Sequence, residues 1–385
     1  VVFMAMRTAG LAHSHFGRLA AAGVTATFTL YILINGAMVM GLAPVVGVPM
    51  PLMSYGGTVM LTVMIGFGLV QSVRVHRYSE VTSGKGAFGP QILFITATRI
   101  GDVVLGSGLV RRLVETHPGA RITIAGGRLP LGLFADTPGL ERLLPMVKTR
   151  RGGHWTQLWR QTRSTRWDQV VDLRGSAIAY LLRARQRRVL DRRGRDLHRV
   201  QAYGQVLDLL ETPPAPSFFV SPQTEAAARG WTDGDGPILA MAPAANWVGK
   251  TWPVDRFAAL AADLLGAGGP LAGGRLLLLG GAEDATTADQ VAAALPVDRV
   301  IRAMGEPDLL TTYAMLRAAR LFIGNDSGMM HLAAAAGAPT LGLFGPTDDR
   351  LYAPWGPHAA VVRETPFATF KARDPDLNLP EPHMD

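Results

Sequence analysis

The chain of 385 residues carries 38 Lys+Arg against 30 Asp+Glu, a formal charge of +8, with 48% hydrophobic and 18% charged residues. That is too apolar for a disordered polymer and long enough for two or three domains. Without cysteine, disulfides, thiolate metal sites and cysteine nucleophiles are excluded, and the basic excess points to an anionic partner: nucleic acid, anionic lipid or a phosphorylated substrate.

Residues 19–73 contain no Asp, Glu, Lys, Arg or His, a run of 55 residues where one membrane crossing needs about 20. Pro44, Pro49, Pro51 and the Gly56-Gly57 pair interrupt it, which predicts two helices, at about 18–42 and 57–74, joined by an uncharged re-entrant or interfacial loop. Arg7 and Arg18 precede the run and Arg74, Arg77 and Lys85 follow it, so the positive-inside rule puts both ends in the cytoplasm. The stretch "INGAMVMGLAPVVGVPMPLMSYGGTVMLTVMIGFGLV" resembles the C-terminal end of the SEDS family, the RodA/FtsW peptidoglycan glycosyltransferases, over about residues 1–77. Asn35, Pro44, Gly47, Pro49, Pro51, Ser54, Tyr55, Gly56 and Gly57 carry the likeness. It covers the last two of about ten helices in that family and omits the loop with its catalytic carboxylate, so polymerase activity is not implied.

After a Gly/Ser-rich linker at 78–90 the pattern changes to strand, turn, helix. "QILFITATRIGDVVLGSGLVRRLVETHPGARITIAGG" reads as a βαβ unit with one amphipathic helix ending near His117-Pro118-Gly119. "WDQVVDLRG" adds a strand and a polar turn. A second series runs through "GPILAMAPAANWVGKTWP", "GRLLLLGGAED", "LFIGNDSGMMHLAAAAGAP" and "TLGLFGPTDD". Such alternation predicts parallel sheets with helices on both faces, and ligands beyond the carboxyl ends of the strands. The Pro-rich "ETPPAPSFFVSP" marks the divide between two lobes, taken here as 91–222 and 223–365, with a tail at 366–385.

The polar turns supply the candidate chemistry. Asp102 in "RIGDVV" reads either as the N-cap of a helix or as a general base at the mouth of a cleft. Lys250 is either a solvated loop lysine or a group that neutralises a departing diphosphate. Glu283 in "LGGAED" is placed like an acidic residue that binds ribose, or like a cap. In "GNDSGMMH", Gly324 and Gly328 allow a tight turn, Asp326 and Ser327 can cap the next helix, and its free N–H groups then face an anion. His331, one turn in, either donates to a phosphate or packs. The basic stretch 183–199, eight Arg against two Asp, reads as a solvated helical face or as a surface for lipid headgroups or a phosphorylated acceptor. It lacks interleaved aromatics, so nucleic acid is not expected.

In order, "TRIGDVVL", "VVDLRGS", "NWVGKTWP", "LGGAED", "GNDSGMMHLAAAAGAP" and "LFGPTDD" resemble glycosyltransferase family 9, the ADP-heptose:lipopolysaccharide heptosyltransferases, over about residues 91–365. The resemblance implies a GT-B fold, two Rossmann-like lobes, with acceptor and base on the first and nucleotide sugar on the second. It implies an inverting transfer of heptose from ADP-heptose to a lipid-linked lipopolysaccharide core acceptor at the cytoplasmic face of the bacterial inner membrane, without metal or cofactor. Asp102 becomes the catalytic base. Lys250, Glu283, Asp326, Ser327, Gly328, Met329 and His331 line the nucleotide sugar, and Arg99 and Arg174 meet the acceptor. Several members carry a lysine shortly after the "DLxG" turn, where this chain has Ile178, and the arginine run is the candidate substitute. Rival readings are a membrane-anchored GT-B enzyme using another nucleotide sugar, and a RodA-like membrane protein with an accessory α/β part.

Overall fold

A computed structural model describes residues 2–11, 15–44, 47, 57–75, 89–149, 152–191, 196–245 and 247–373. Most of the Pro/Gly loop (Pro49, Pro51, Ser54, Tyr55, Gly56), Arg77, Lys85 and nearly all of the 78–90 linker lie outside the described residues, as do 192–195 of the arginine run and the tail beyond Arg373. The chain divides into two compact units, Val1–Ala87 and Phe88–Asp385.

The first unit contains α1 (Val2–Leu11), α2 (His15–Val39) and α3 (Gly57–Val75). In α2 the hydroxyls of Thr25 and Thr29 donate to the carbonyls one turn back, at 2.6 and 2.8 Å, so that neither is left unpaired among apolar neighbours. Gly41, in the left-handed region at φ +74°, stops the helix, with Leu42 N donating to Ala37 O at 2.8 Å. A Cβ on Gly66 would lie 3.0 Å from Val24 Cγ1, and Phe28 and Phe67 meet edge to face at 5.1 Å, so α3 closes tightly on α2. Leu19–Val39 is long and apolar enough to cross a membrane. The apolar stretch of α3, Met60–Ser72, falls short of that length, so one of the two expected crossings meets the criterion among the described residues.

The second unit opens with β1 (Gln91–Ile95), α4 (Ile100–Gly106), α5 (Gly108–Thr116), β2 (Arg121–Gly126), β3 (Leu140–Pro145), α6 (Gly153–Thr162), β4 (Trp167–Asp172), α7 (Ile178–Leu181), β5 (Ala184–Val189) and α8 (Arg199–Gly204). α9 (Pro222–Thr232) then leads into β6 (Ile238–Ala242), α10 (Val254–Leu265), β7 (Arg275–Gly280), α11 (Ala285–Ala292), β8 (Val300–Met304), α12 (Leu309–Leu316), β9 (Ala319–Asn325), α13 (Gly328–Ala335), β10 (Thr340–Leu343), α14 (Asp349–Tyr352), β11 (Ala359–Val362) and α15 (Phe367–Arg373). All strand pairs are parallel, in two sheets ordered β3-β2-β1-β4-β5 and β11-β10-β9-β6-β7-β8. Buried apolar strands such as Ile92–Ile95 and Leu276–Leu279 are what a sheet covered on both faces requires. One continuous core joins the two sheets, and Phe218, from the Pro-rich stretch, sits in it with its ring 5.3 Å from both Phe134 and Tyr313.

Two expectations are corrected. The helix after β1 is two helices, broken at Ser107, whose Oγ donates to Val104 O at 2.7 Å. The break brings Gly108 so close to the 214–215 backbone that a Cβ would lie 2.4 Å from Pro214 O. The first part of the arginine run is the edge strand β5, not a helical face. Its charges shield an open sheet edge. Arg187 caps the Ala179 and Leu182 carbonyls at 3.0 and 2.7 Å, and Arg188 pairs with Asp208 at 2.6 Å.

Candidate functional site

In each sheet the chain starts at a central strand, winds to one edge, then returns to the other side. The reversal leaves a crevice at the carboxyl ends of β1 and β4 in one sheet and of β6 and β9 in the other. The turns after β1, β6, β7, β8 and β9 converge on one cavity of about 940 Å³. Arg99, Asp102, Lys250, Glu283, Asp326, Ser327, Gly328, Met329 and His331 all line it.

Asp102 is not a cap. Arg99 occupies the N-cap position of α4, without a side-chain bond, and Asp102 sits in the first turn with its carboxylate toward the cavity. Burial raises its pKa above the ordinary aspartate range, against the opposing pull of Arg199, Arg99 and Lys250. A carboxylate made more basic inside a cleft, with no hydrogen bond among the described residues, is free to take a proton.

Facing it across the cavity, Lys250 ends a 3-10 turn, Val248–Lys250, and its Nζ bonds Asp326 Oδ2 at 2.5 Å. Asp326 is 5% exposed, so this pair holds the turn after β6 to the turn after β9. Asn325, fully buried, fastens the same two turns: its Oδ1 accepts from Trp252 N at 3.0 Å and its Nδ2 donates to Pro243 O at 2.8 Å. Trp252 packs edge to face on Phe257 at 5.0 Å.

The capping expected of Asp326 and Ser327 is not what forms. Asp326 is committed to Lys250, and Ser327, though at the N-cap position of α13, makes no cap bond and leaves Oγ without a partner. The first N–H groups of α13 therefore remain open toward the cavity. Gly324 and Gly328 allow close approach without a left-handed backbone. A Cβ on Gly324 would crowd Phe322 at 2.8 Å, and one on Gly328 would lie 2.7 Å from Ile100 Cβ. Gly328 thus lets α13 touch the start of α4. His331 is buried, its Nδ1 has no partner, and burial depresses its pKa to about 4, with Asp326 opposing, so the ring is neutral near pH 7.

At the turn after β7, Asp284 rather than Glu283 is the capping group, accepting from Gly281 N at 2.9 Å. Glu283 is exposed and open to a ligand. Arg174 is the one expected residue set apart: it lies over Trp155 at 4.6 Å, beside a separate pocket of about 590 Å³ with Trp159, Ser176, Ile178 and Leu181. The buried Asp172 carboxylate shapes that turn, accepting from Arg174 N and Ser176 N, both at 2.8 Å. Sequence reasoning missed Asn325 and Tyr352 and took Arg199 only as the end of the basic run, because their partners are distant in the chain and leave no local pattern.

Two parallel sheets that share a cleft at their carboxyl ends are the architecture of a GT-B glycosyltransferase. The chain belongs to glycosyltransferase family 9 (heptosyltransferase), whose family model matches residues 175–378, more than half its length. It is 24% identical over 310 residues to lipopolysaccharide heptosyltransferase 2 of Escherichia coli K12, covering 71% of this chain and 88% of that one. The solved structure of E. coli ADP-heptose lipopolysaccharide heptosyltransferase II superposes with a TM-score of 0.58 at 24% identity, over 71% of this chain and 91% of that chain. Residues 1–79 match the FtsW/RodA/SpoVE model described as cell cycle protein. Over 69 residues, 18% of this chain, the sequence is 46% identical to the peptidoglycan glycosyltransferase MrdB of E. coli K12, and it spans only 19% of that protein's length.

Proposed function

We propose that the α/β unit transfers a heptose from ADP-heptose to a hydroxyl of a lipid-linked lipopolysaccharide core, with inversion at the anomeric carbon. Asp102 accepts the proton of the acceptor hydroxyl. The oxygen forms a bond to the anomeric carbon as the bond from that carbon to the diphosphate oxygen breaks, and ADP departs with the electron pair. Lys250 and the open N–H groups at the start of α13 take up the charge on the leaving group, and Glu283 binds the ribose. Asp326 holds Lys250 until the diphosphate competes for it, Ser327, Gly328, Met329 and His331 flank the nucleotide sugar, and Arg99 and Arg174 serve the acceptor side. Residues 91–222 form the acceptor lobe and 223–365 the donor lobe. Arg7, Arg18 and Arg74 flanking the apolar segment support a cytoplasmic catalytic unit at the inner membrane.

The observation that carries this reading is the convergence of a basic carboxylate, Asp102, and a cationic, helix-tipped pocket, Lys250 with Ser327–His331, on one cavity from two different sheets. The test uses the full chain in detergent, ADP-heptose and lipopolysaccharide from heptose-deficient cells. Asp102→Asn is expected to lower transfer by roughly 10²-fold or more while ADP still binds. Transfer that survives in Asp102→Asn, or UDP binding tighter than ADP, overturns the reading.

A further inference from the structure

Asp102 and Gly106 lie one turn apart on one face of α4, and Arg199 and Tyr203 one turn apart on one face of α8. These faces pack together, since a Cβ on Gly106 would lie 3.5 Å from the Tyr203 ring. Arg199, on the same face of α8 as Tyr203, is near enough to Asp102 for the two charges to act on each other. Arg199 is fixed from its other side. Its Nε donates to the Tyr352 hydroxyl at 3.0 Å and its guanidinium lies 5.1 Å from the centre of that ring. Tyr352 closes α14, in the connection that follows β10 of the second sheet, and lines the same cavity as Asp102. The neighbouring residue repeats the link. His198 Nδ1 accepts from Val200 N at 3.2 Å, so Nε2 carries the proton and donates to Ala353 O at 3.0 Å, with the ring 4.7 Å from Trp355.

We propose that Arg199 is a positioning residue for Asp102, tethered by Tyr352 so that the second sheet holds a cation near the carboxylate on the first. The proposal rests on Asp102 as the base. The groups that bear on Asp102 are Arg99 from its own turn, Arg199 and Tyr203 from α8, and Lys250 from the turn after β6. His331, which packs on Gly101, faces it from α13 as a neutral ring. Of the three cations Arg199 has the largest effect, opposing the burial that raises the carboxyl's pKa.

The experiment is the pH profile of kcat/KM for heptose transfer by the full chain, for wild type, Arg199→Gln, Arg199→Lys, Tyr352→Phe and Asp102→Asn, with ADP affinity and far-ultraviolet circular dichroism measured alongside. Loss of the cation moves the acidic limb of Arg199→Gln upward by about one pH unit, a roughly tenfold loss on that limb, while the alkaline plateau is less affected. Arg199→Lys keeps the limb of the wild type, and Tyr352→Phe, which keeps every charge, moves it in the same direction by less. An acidic limb that coincides with wild type in Arg199→Gln overturns the proposal, as does a uniform loss at every pH. Should Arg199→Gln not fold, an unmoved limb in Tyr352→Phe overturns it. Full transfer by Asp102→Asn instead removes the base reading itself, so the two failures are separable.

Discussion

Gly101 and His331 touch: a Cβ on Gly101 would lie 2.9 Å from His331 Cδ2. Gly101 opens the helix after β1 of one sheet, His331 lies in the helix after β9 of the other, and the contact sits at the cavity wall. Because the His331 ring is buried, it cannot swing aside as a surface side chain would. Gly101→Ala is therefore expected to destabilise the second unit by about 1–3 kcal/mol and to lower kcat/KM, by forcing α4 away from α13. All seven tryptophans lie beyond residue 88, so denaturant unfolding of the full chain followed by tryptophan fluorescence reads this unit alone. A variant as stable as wild type would show that the two helices can part without cost.

The ion pair of Lys250 and Asp326 is asymmetric, with Asp326 5% exposed and the lysine side chain 22% exposed. Removing the lysine strands a buried carboxylate, whereas removing the acid leaves a cation able to turn to solvent or to a phosphate. Lys250→Ala is accordingly expected to cost about 3–5 kcal/mol of stability and to weaken ADP at least tenfold, while Asp326→Asn costs less and leaves ADP affinity equal or tighter. Calorimetric titration with ADP separates the two. Weaker ADP binding in Asp326→Asn than in Lys250→Ala would mean that the aspartate, not the lysine, serves the ligand.

Much of this arrangement is legible in the sequence because it is local. Buried apolar strands ending in polar turns announce a parallel sheet, and the turns "RIGDVV", "NWVGK", "LGGAED" and "GNDSG" all open on one cavity. What was misread depends on contacts far along the chain. The amphipathic pattern runs through Ser107 without interruption, whereas the groups packed at the break, the backbone at Pro214 and Ala215 against Gly108 and Ser217 N on Ser107 Oγ, lie about a hundred residues further along. "ARQRRV" has no apolar alternation because an edge strand needs little, so it resembled a helical face. The capping positions fall one to three residues from Asp102 and Glu283, at Arg99 and Asp284, since several polar residues in a turn can each serve, which leaves the alternative roles of Asp102 and Glu283 open.

His331 makes stability depend on pH in a definite direction. Its folded pKa is about 4, with burial the main cause, whereas an unfolded histidine titrates near 6.5. Below pH 6.5 the unfolded chain takes up a proton that the folded chain refuses, so stability falls as the pH drops from about 6.5 toward 4, by up to roughly 3 kcal/mol from this group. His331→Gln, which cannot titrate, is expected to flatten that part of the profile. Thermal unfolding of both proteins from pH 8 to pH 5 checks it, and parallel curves would mean that His331 takes up its proton equally in the folded and unfolded chain.

Asn325 offers the sharpest test of how the site is held, because its two bonds run in opposite senses. Its carbonyl oxygen accepts from Trp252 N and its amide donates to Pro243 O, and nothing of the side chain is exposed. Asn325→Asp preserves the shape and the first bond but sets an oxygen against the Pro243 carbonyl and buries a charge, or forces a proton onto it. Asn325→Ala leaves Trp252 N and Pro243 O each without that partner. Both variants are expected to lose about 2–4 kcal/mol, and Asn325→Asp is expected to regain stability as the pH is lowered, since a protonated carboxyl can donate where the amide did. Lys250 stands two residues before Trp252, so ADP affinity should fall in step with the loosening of this turn. Denaturant unfolding at pH 5 and pH 8 with ADP titrations decides the matter: an Asn325→Asp protein no less stable than wild type at pH 8 would show that the turn is held by the Lys250–Asp326 pair alone.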